Sequence, residues 1–469
     1  MTDSPSWDLG LLYAPDSPEL KRDLEELRNR RQAFGAHKEL LAQRSPTLEE
    51  FGAMVRELES LNLLATNLVS WADLWVAEDV GDQKAQAVLA AMREEGAELV
   101  NDVLFFELWW KKLGAEEAER YLTSLPEFEY FLRRERALVE HTLTEAEEKI
   151  VNLKNVHGRE AHVGLYDALT SRYAFEGANI PGSDGQPMNR EELMLLVRSS
   201  APETRAAAYR ELYRVFGQDG AILGQIYQEL VRDWRQENVR LRHYPNPASV
   251  RHKKNDLPEE AVESLLRVCQ RKGPEVFGRY FRKKAEVLGL ERLRRYDLYA
   301  PYGEDQGQWS FEEAMSLVEK SFGAFDPKLA ELAKAVWAGR RLDAASRPGK
   351  RSGAFCASIS PKTVPWVLMT FKGKTQDLFT LAHELGHAAH SQLAREQNVF
   401  HFHACLPLAE TASTFGEMLL AKTLLSQASE DERKTLTFHL LDDAYATVGR
   451  QAFFALFELK AHEMVVDGA

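Results

Sequence analysis

His383, Glu384 and His387 fall within the stretch TLAHELGHAAH at positions 380–390. In an α-helix, side chains four apart share a face, so these two imidazoles converge on one point, at about the separation a zinc ion requires. Glu384 directly follows the first histidine and projects differently. It can therefore sit beside a metal without ligating it and act as general base on a metal-activated water. A hydrolytic zinc site also needs a third protein ligand and an open position. A histidine six residues beyond His387 is ruled out, because position 393 is leucine. A glutamate from a following helix is available: LPLAETASTFGEML offers Glu410 soon after Pro407. Glu417 lies two helical turns further along the same face, where it can accept a hydrogen bond from a ligand imidazole. His390 is close to the ligand face but points along the axis, which suits packing or hydrogen bonding better than ligation. His401 and His403, in NVFHFHACLP, alternate like strand residues and could touch substrate, although loop histidines are more often merely solvated.

The elements that must position these groups can be read outward from them. Thr375, Gln376 and Asp377 bring a hydroxyl and a carboxylate to a helix start, and LFTLAHELGHAAHSQLA continues that helix with no proline. Before it runs TVPWVLMTFKGK, an apolar stretch of β-formers with Pro365 inside it. Proline cannot donate to a ladder, which marks an edge strand, and an edge beside such a helix can bind an extended peptide through main-chain hydrogen bonds. The few strands should cluster around residues 345–360, where the sequence turns small and alternating. Elsewhere apolar residues recur at helical spacing, so the chain should be mainly α. Helix breaks are signalled at Ser45-Pro46-Thr47, Leu125-Pro126 and Ser200-Ala201-Pro202. The glycine- and proline-rich residues 175–193 form the first organisational boundary, a hairpin or linker, and residues 242–260 a surface loop. No fixed-period repeat is visible.

Composition narrows the function classes. The 469 residues carry 59 Lys and Arg against 72 Asp and Glu, a net charge of −13. That balance argues against a nucleic-acid partner, and the short basic runs RLRRYDLY and RHKK read as solvated surface. No apolar run is long enough to span a membrane. The N-terminal MTDSPSWDLGLLYAPDSPEL lacks the order of a secretion signal, and Cys269, Cys356 and Cys405 are odd in number and far apart. The expectation is a cytoplasmic protein with free thiols.

Beyond the motif, FTLAHELGHAAH, AETAST followed by Glu417, GAFCASISPKTVPWVLMTFKGKTQDLFT, YDLYAP and the opening WDLGLLYAPDSPELKRDLEEL resemble the oligoendopeptidase F and thimet oligopeptidase group of zinc peptidases. The likeness to oligoendopeptidase F is the closer one and runs over nearly the whole chain. It implies a multi-helix, ellipsoidal enzyme with one small β-sheet beside the HExxH helix and a deep channel that admits short unstructured peptides. It further implies one Zn²⁺ per chain on His383, His387 and Glu410, Glu384 as general base, and Glu417 supporting a ligand. Gly353, Ala354 and Phe355 match the edge strand that binds substrate backbone, displacing the 363–374 run from that role, and His403 joins them as a substrate contact. The expected division is a helical N-terminal domain at 1–185 and a peptidase domain at 186–469, the latter stopping short of the family's Tyr/His-bearing C-terminal segment. The expected partners are short peptides, with the protein a monomer or homodimer and neither nucleic acid nor membrane involved. Two other readings stay open: a peptide-binding protein without turnover, and a zinc carboxypeptidase.

Overall fold

The computed structural model describes residues 4–303 and 308–466. They form two compact units, each assembled from two stretches of chain: Met1–Glu145 with Gly307–Ser426, and Ala146–Gln306 with Gln427–Ala469. Most of the described residues are helical, and no helix among them is long and apolar enough to cross a membrane.

The first unit begins with three long helices, α1 (Pro18–Gly35), α2 (Leu48–Glu78) and α3 (Gln83–Lys112). The Ser45-Pro46-Thr47 signal starts α2. Thr47 accepts from the Glu50 amide while the Glu50 carboxylate accepts from that of Thr47, which satisfies two end donors reciprocally. Asp82 does the same work for α3 by accepting from the amides of Lys84 and Ala85. Phe34, Phe51, Trp71, Phe106 and Trp110 are fully buried where these helices meet, and aromatic edges and faces lock them, as in the Phe51–Tyr121 pair at 4.4 Å between centroids.

Two further helices, α4 (Phe311–Gly323) and α5 (Pro327–Ala338), lead to three short strands: β1 (Leu342–Asp343), β2 (Phe355–Ala357) and β3 (Trp366–Leu368). The order is β1-β3-β2, with β1 parallel and β2 antiparallel to β3. The strand inside the proline-containing run is therefore central, correcting the edge position that Pro365 signals in the sequence. The physical reason is that Pro365 stands just before β3 and owes the ladder no donor. All three β3 residues are buried, and β2 becomes an edge.

A buried ionic hub holds this sheet. The Lys350 ammonium donates to Asp343 Oδ1 at 2.7 Å and to the carbonyls of Ala345 and Met369 at 2.9 and 2.6 Å, while Arg347 forks onto the same carboxylate. Arg351 forks onto Asp73, and the Val80 amide donates to the Gly349 carbonyl, which pins the loop before β2 to the end of α2. Gly349 has φ +79°, and a Cβ there would lie 2.3 Å from Asp79, so only glycine passes. Replacing Lys350 with Met should leave a buried carboxylate half-paired and cost about 3–5 kcal/mol of unfolding free energy. Urea unfolding checks this, and a loss below about 1 kcal/mol, the worth of a surface pair, would contradict it.

In the second unit the turn-rich residues 175–193 contain a two-bond pairing of Phe175 with Met188, with Phe175, Ile180 and Leu193 buried against Ala208 and Val215. Buried ion pairs join Arg205 to Asp297 at 2.8 Å and Lys284 to Asp442 at 2.7 Å. The RHKK run is the last turn of a short helix, Ser249–Lys254.

Candidate metal centre

The helix α6 (Thr375–Leu393) carries the HExxH residues, and α7 (Leu406–Gln427) carries both glutamates. Asp377 fixes the start of α6, its carboxylate accepting from the amides of Lys372 and Lys374. Leu378, Phe379, Leu381, Ala382, Leu385 and Ala388 are each 0–1 % exposed, and they seat α6 on α4, α5, β2 and β3. His383 and His387 are left half-buried on the remaining face, ring centroids 4.9 Å apart.

Glu410 meets them from α7. Its Oε2 lies 3.5 Å from His383 Nε2 and 3.7 Å from His387 Nε2, and the three donor atoms lie within 4.8 Å of one another. Donors held tetrahedrally at about 2.0–2.2 Å from zinc stand roughly 3.3–3.6 Å apart, so this set fits such an ion. Among the described residues it is the one group of three or more His, Cys, Asp or Glu side chains that does. Ser413 donates to Glu410 Oε2 at 2.9 Å and holds the carboxylate toward the histidines. His383 Nδ1 lies 2.5 Å from Glu417 Oε1. With the proton on Nδ1, the ring donates to that carboxylate and keeps the Nε2 lone pair for a metal.

The charges diverge across this small space. Burial lowers the His383 imidazole, but Glu417, Glu384 and Glu410 outweigh it and raise its pKa above the ordinary value. The His387 pKa is lowered, by burial first and then by the neighbouring His383. Glu384 is 6 % exposed, and its carboxyl is pushed up to about 7 by burial, with the charges of Glu410 and Glu417 adding to the shift and His383 opposing it.

The remaining sequence candidates are dispersed. Phe355 opens β2, Gly353 and Ala354 directly precede it, and the outer edge of β2 has no strand partner among the described residues. His403 follows the short helix Val399–Phe402, its ring 4.9 Å from that of Phe402, and is exposed. His401 serves the scaffold instead, its Nε2 accepting from the Phe131 amide at 3.0 Å. His390 is not among the converging donors. Sequence reasoning missed Ser413 and the pair Ser358 and Ser391, whose hydroxyls share a hydrogen bond that ties the segment after β2 to α6 one turn past His387. The i,i+3 spacing of Glu410 and Ser413 was the available signal. Of the three thiols, Cys269 is buried and Cys356 and Cys405 are partly buried.

A helical scaffold that presents two histidines of an HExxH helix and a glutamate of a second helix to one point defines a metallopeptidase. Residues 195–469 match the model of Peptidase family M3, and residues 109–175 match that of Oligopeptidase F. The chain belongs to peptidase family M3, an enzyme family of metalloendopeptidases. It is 27% identical over 492 aligned residues to an oligoendopeptidase F homolog of Lactococcus lactis subsp. lactis, an alignment that covers 100% of this chain and 78% of that protein. It is 31% identical over 276 residues to the chromosomal oligoendopeptidase F of Lactococcus lactis subsp. cremoris, covering 58% of this chain and 45% of that one. The fold is shared with the crystal structure of oligoendopeptidase-F from Enterococcus faecium, with a TM-score of 0.66 at 21% identity over 96% of this chain and 76% of that one.

Proposed function

We propose that this chain is a zinc-dependent endopeptidase that cleaves short, unstructured oligopeptides. The observation that carries the reading is the convergence of His383, His387 and Glu410 next to the buried Glu384, in a chain of family M3. Zinc on those three donors would supply a Lewis acid that polarises the scissile carbonyl and acidifies water. The chain's own residues do the rest. Glu384 takes a proton from the attacking water, whose oxygen bonds to the carbonyl carbon. As the C–N bond breaks, Glu384 delivers that proton to the departing nitrogen, leaving an amine and a carboxylic acid that then ionises by giving its proton to the amine. Glu417 fixes the His383 ring and Ser413 the Glu410 carboxylate. The open edge of β2, approached through Gly353, Ala354 and Phe355, offers main-chain groups to an extended peptide irrespective of its side chains. His403 is the further substrate contact in this reading. Three unpaired cysteines suit a reducing compartment, the cytoplasm.

The test is removal and return of metal. Chelation should abolish cleavage of a quenched peptide, and one equivalent of zinc per chain should restore it, with internal cleavage products by mass spectrometry. Full activity in metal-free protein would overturn the reading. Loss of single C-terminal residues would make the enzyme a carboxypeptidase, and zinc and peptide bound with nothing cut would make it a binding protein.

A further inference from the structure

We infer that Gly386 and Gly416 are positioning residues of the metal centre, setting the crossing of α6 and α7 that brings the glutamates to the histidines. The inference rests on the metal-site reading above and deepens it. A Cβ at Gly386 would lie 2.7 Å from the Ala412 carbonyl oxygen and 2.9 Å from Ser413 Cα. A Cβ at Gly416 would lie 2.6 Å from the Ala382 carbonyl oxygen, 3.1 Å from the Phe322 ring and 3.4 Å from Gly386 Cα. The two helices therefore touch backbone to backbone, and each glycine fills the space the other leaves. Neither has a positive φ, so what demands glycine is closeness and not an unusual conformation. Both sit inside helices, where glycine is the poorest former after proline; local helix stability favours alanine at both positions.

The contact lies among the donors. Gly386 is flanked on α6 by His383 and His387, and Gly416 directly precedes Glu417 on α7. Ser413, whose Cα faces Gly386, is the residue that holds Glu410 Oε2. The nearest obstacles are main-chain atoms that cannot rotate aside, so a methyl at either glycine has to push the helices apart. Restoring ordinary contact from 2.6–2.7 Å takes on the order of half an ångström, whereas metal–ligand distances tolerate about 0.2 Å. A rigid separation of that size moves Glu410 and Glu417 together away from both imidazoles.

The experiment compares Gly386→Ala and Gly416→Ala with Gly224→Ala, a helical glycine of the second unit with nothing within 4 Å of its would-be Cβ. Zinc affinity is read by competition with a chromophoric chelator, coordination geometry by the visible spectrum of the cobalt(II)-substituted protein, and folding by circular dichroism and thermal midpoint. The expected result for both site variants is a zinc Kd raised about 10–100-fold, the scale of losses when a ligand's support is disturbed, and an altered cobalt spectrum, with helicity retained. Gly224→Ala should keep the wild-type affinity and spectrum. Wild-type zinc affinity and cobalt spectrum in either site variant would overturn the inference. So would loss of folding in both, since the contact would then hold the scaffold and not the donors. Absence of zinc binding in the wild-type protein would instead remove the metal-site reading on which the inference stands.

Discussion

Replacing Glu384 with Gln is expected to lower kcat/KM for a short quenched peptide by about 10²–10⁴-fold, the usual contribution of a positioned general base, while zinc content stays at one per chain. The two halves of this result come from different geometry. Glu384 is adjacent in sequence to His383 but is not one of the three converging donors, so its removal leaves the metal set intact. Its side chain is buried, the residue being 6 % exposed, and it is close enough to His383 to feel that charge, so a side chain of the same shape that cannot accept a proton should pack in its place and stall the transfer. A concurrent zinc assay and peptide-binding measurement separate the roles. Loss of zinc together with activity would make Glu384 a ligand, and activity within a few-fold of wild type would remove it from the reaction.

Helix periodicity explains how much of this centre can be read from the sequence. His383, Glu384 and His387 are related by spacing on one helix, and Glu410 and Glu417 by spacing on another, so each set is visible in the linear chain. The helix starts are legible for the same local reason, as at Thr47 and Glu50. What the linear chain hides is contact between distant segments. Pro365 reads as an edge signal because the sequence does not show that the strand begins one residue later and lies between two others. The hydroxyls of Ser358 and Ser391 meet only after β2 lies against α6. Gly386 and Gly416 look like helix-weakening residues until the helices cross at them. A turn-rich stretch records where the chain bends, not what packs on either side, and residues 175–193 bend within the second unit, whose smaller stretch comes from beyond residue 426.

The two glutamates of α7 should separate ligation from support. Glu410→Ala removes one of three donor atoms and leaves the buried Ser413 hydroxyl without its carboxylate acceptor. Two imidazoles alone do not make a stable zinc site. Glu417→Gln keeps an oxygen that can accept from His383 Nδ1 but removes its charge, so the ring stays oriented while its Nε2 becomes a poorer donor. The expected order is therefore a zinc affinity about 10–100-fold weaker for Glu417→Gln, as for other outer partners of ligand histidines, and a much larger loss for Glu410→Ala, with peptide cleavage following metal occupancy in both. Excess zinc distinguishes them further: it should restore much of the activity of Glu417→Gln, whose three donors are intact, and little of that of Glu410→Ala. Chelator competition and activity titrated against free zinc measure both. Equal losses in the two variants would mean that Glu417 ligates as well. Undiminished zinc affinity in Glu410→Ala would mean that the third donor lies elsewhere, and the convergence of α6 and α7 at His383, His387 and Glu410 would then need another explanation.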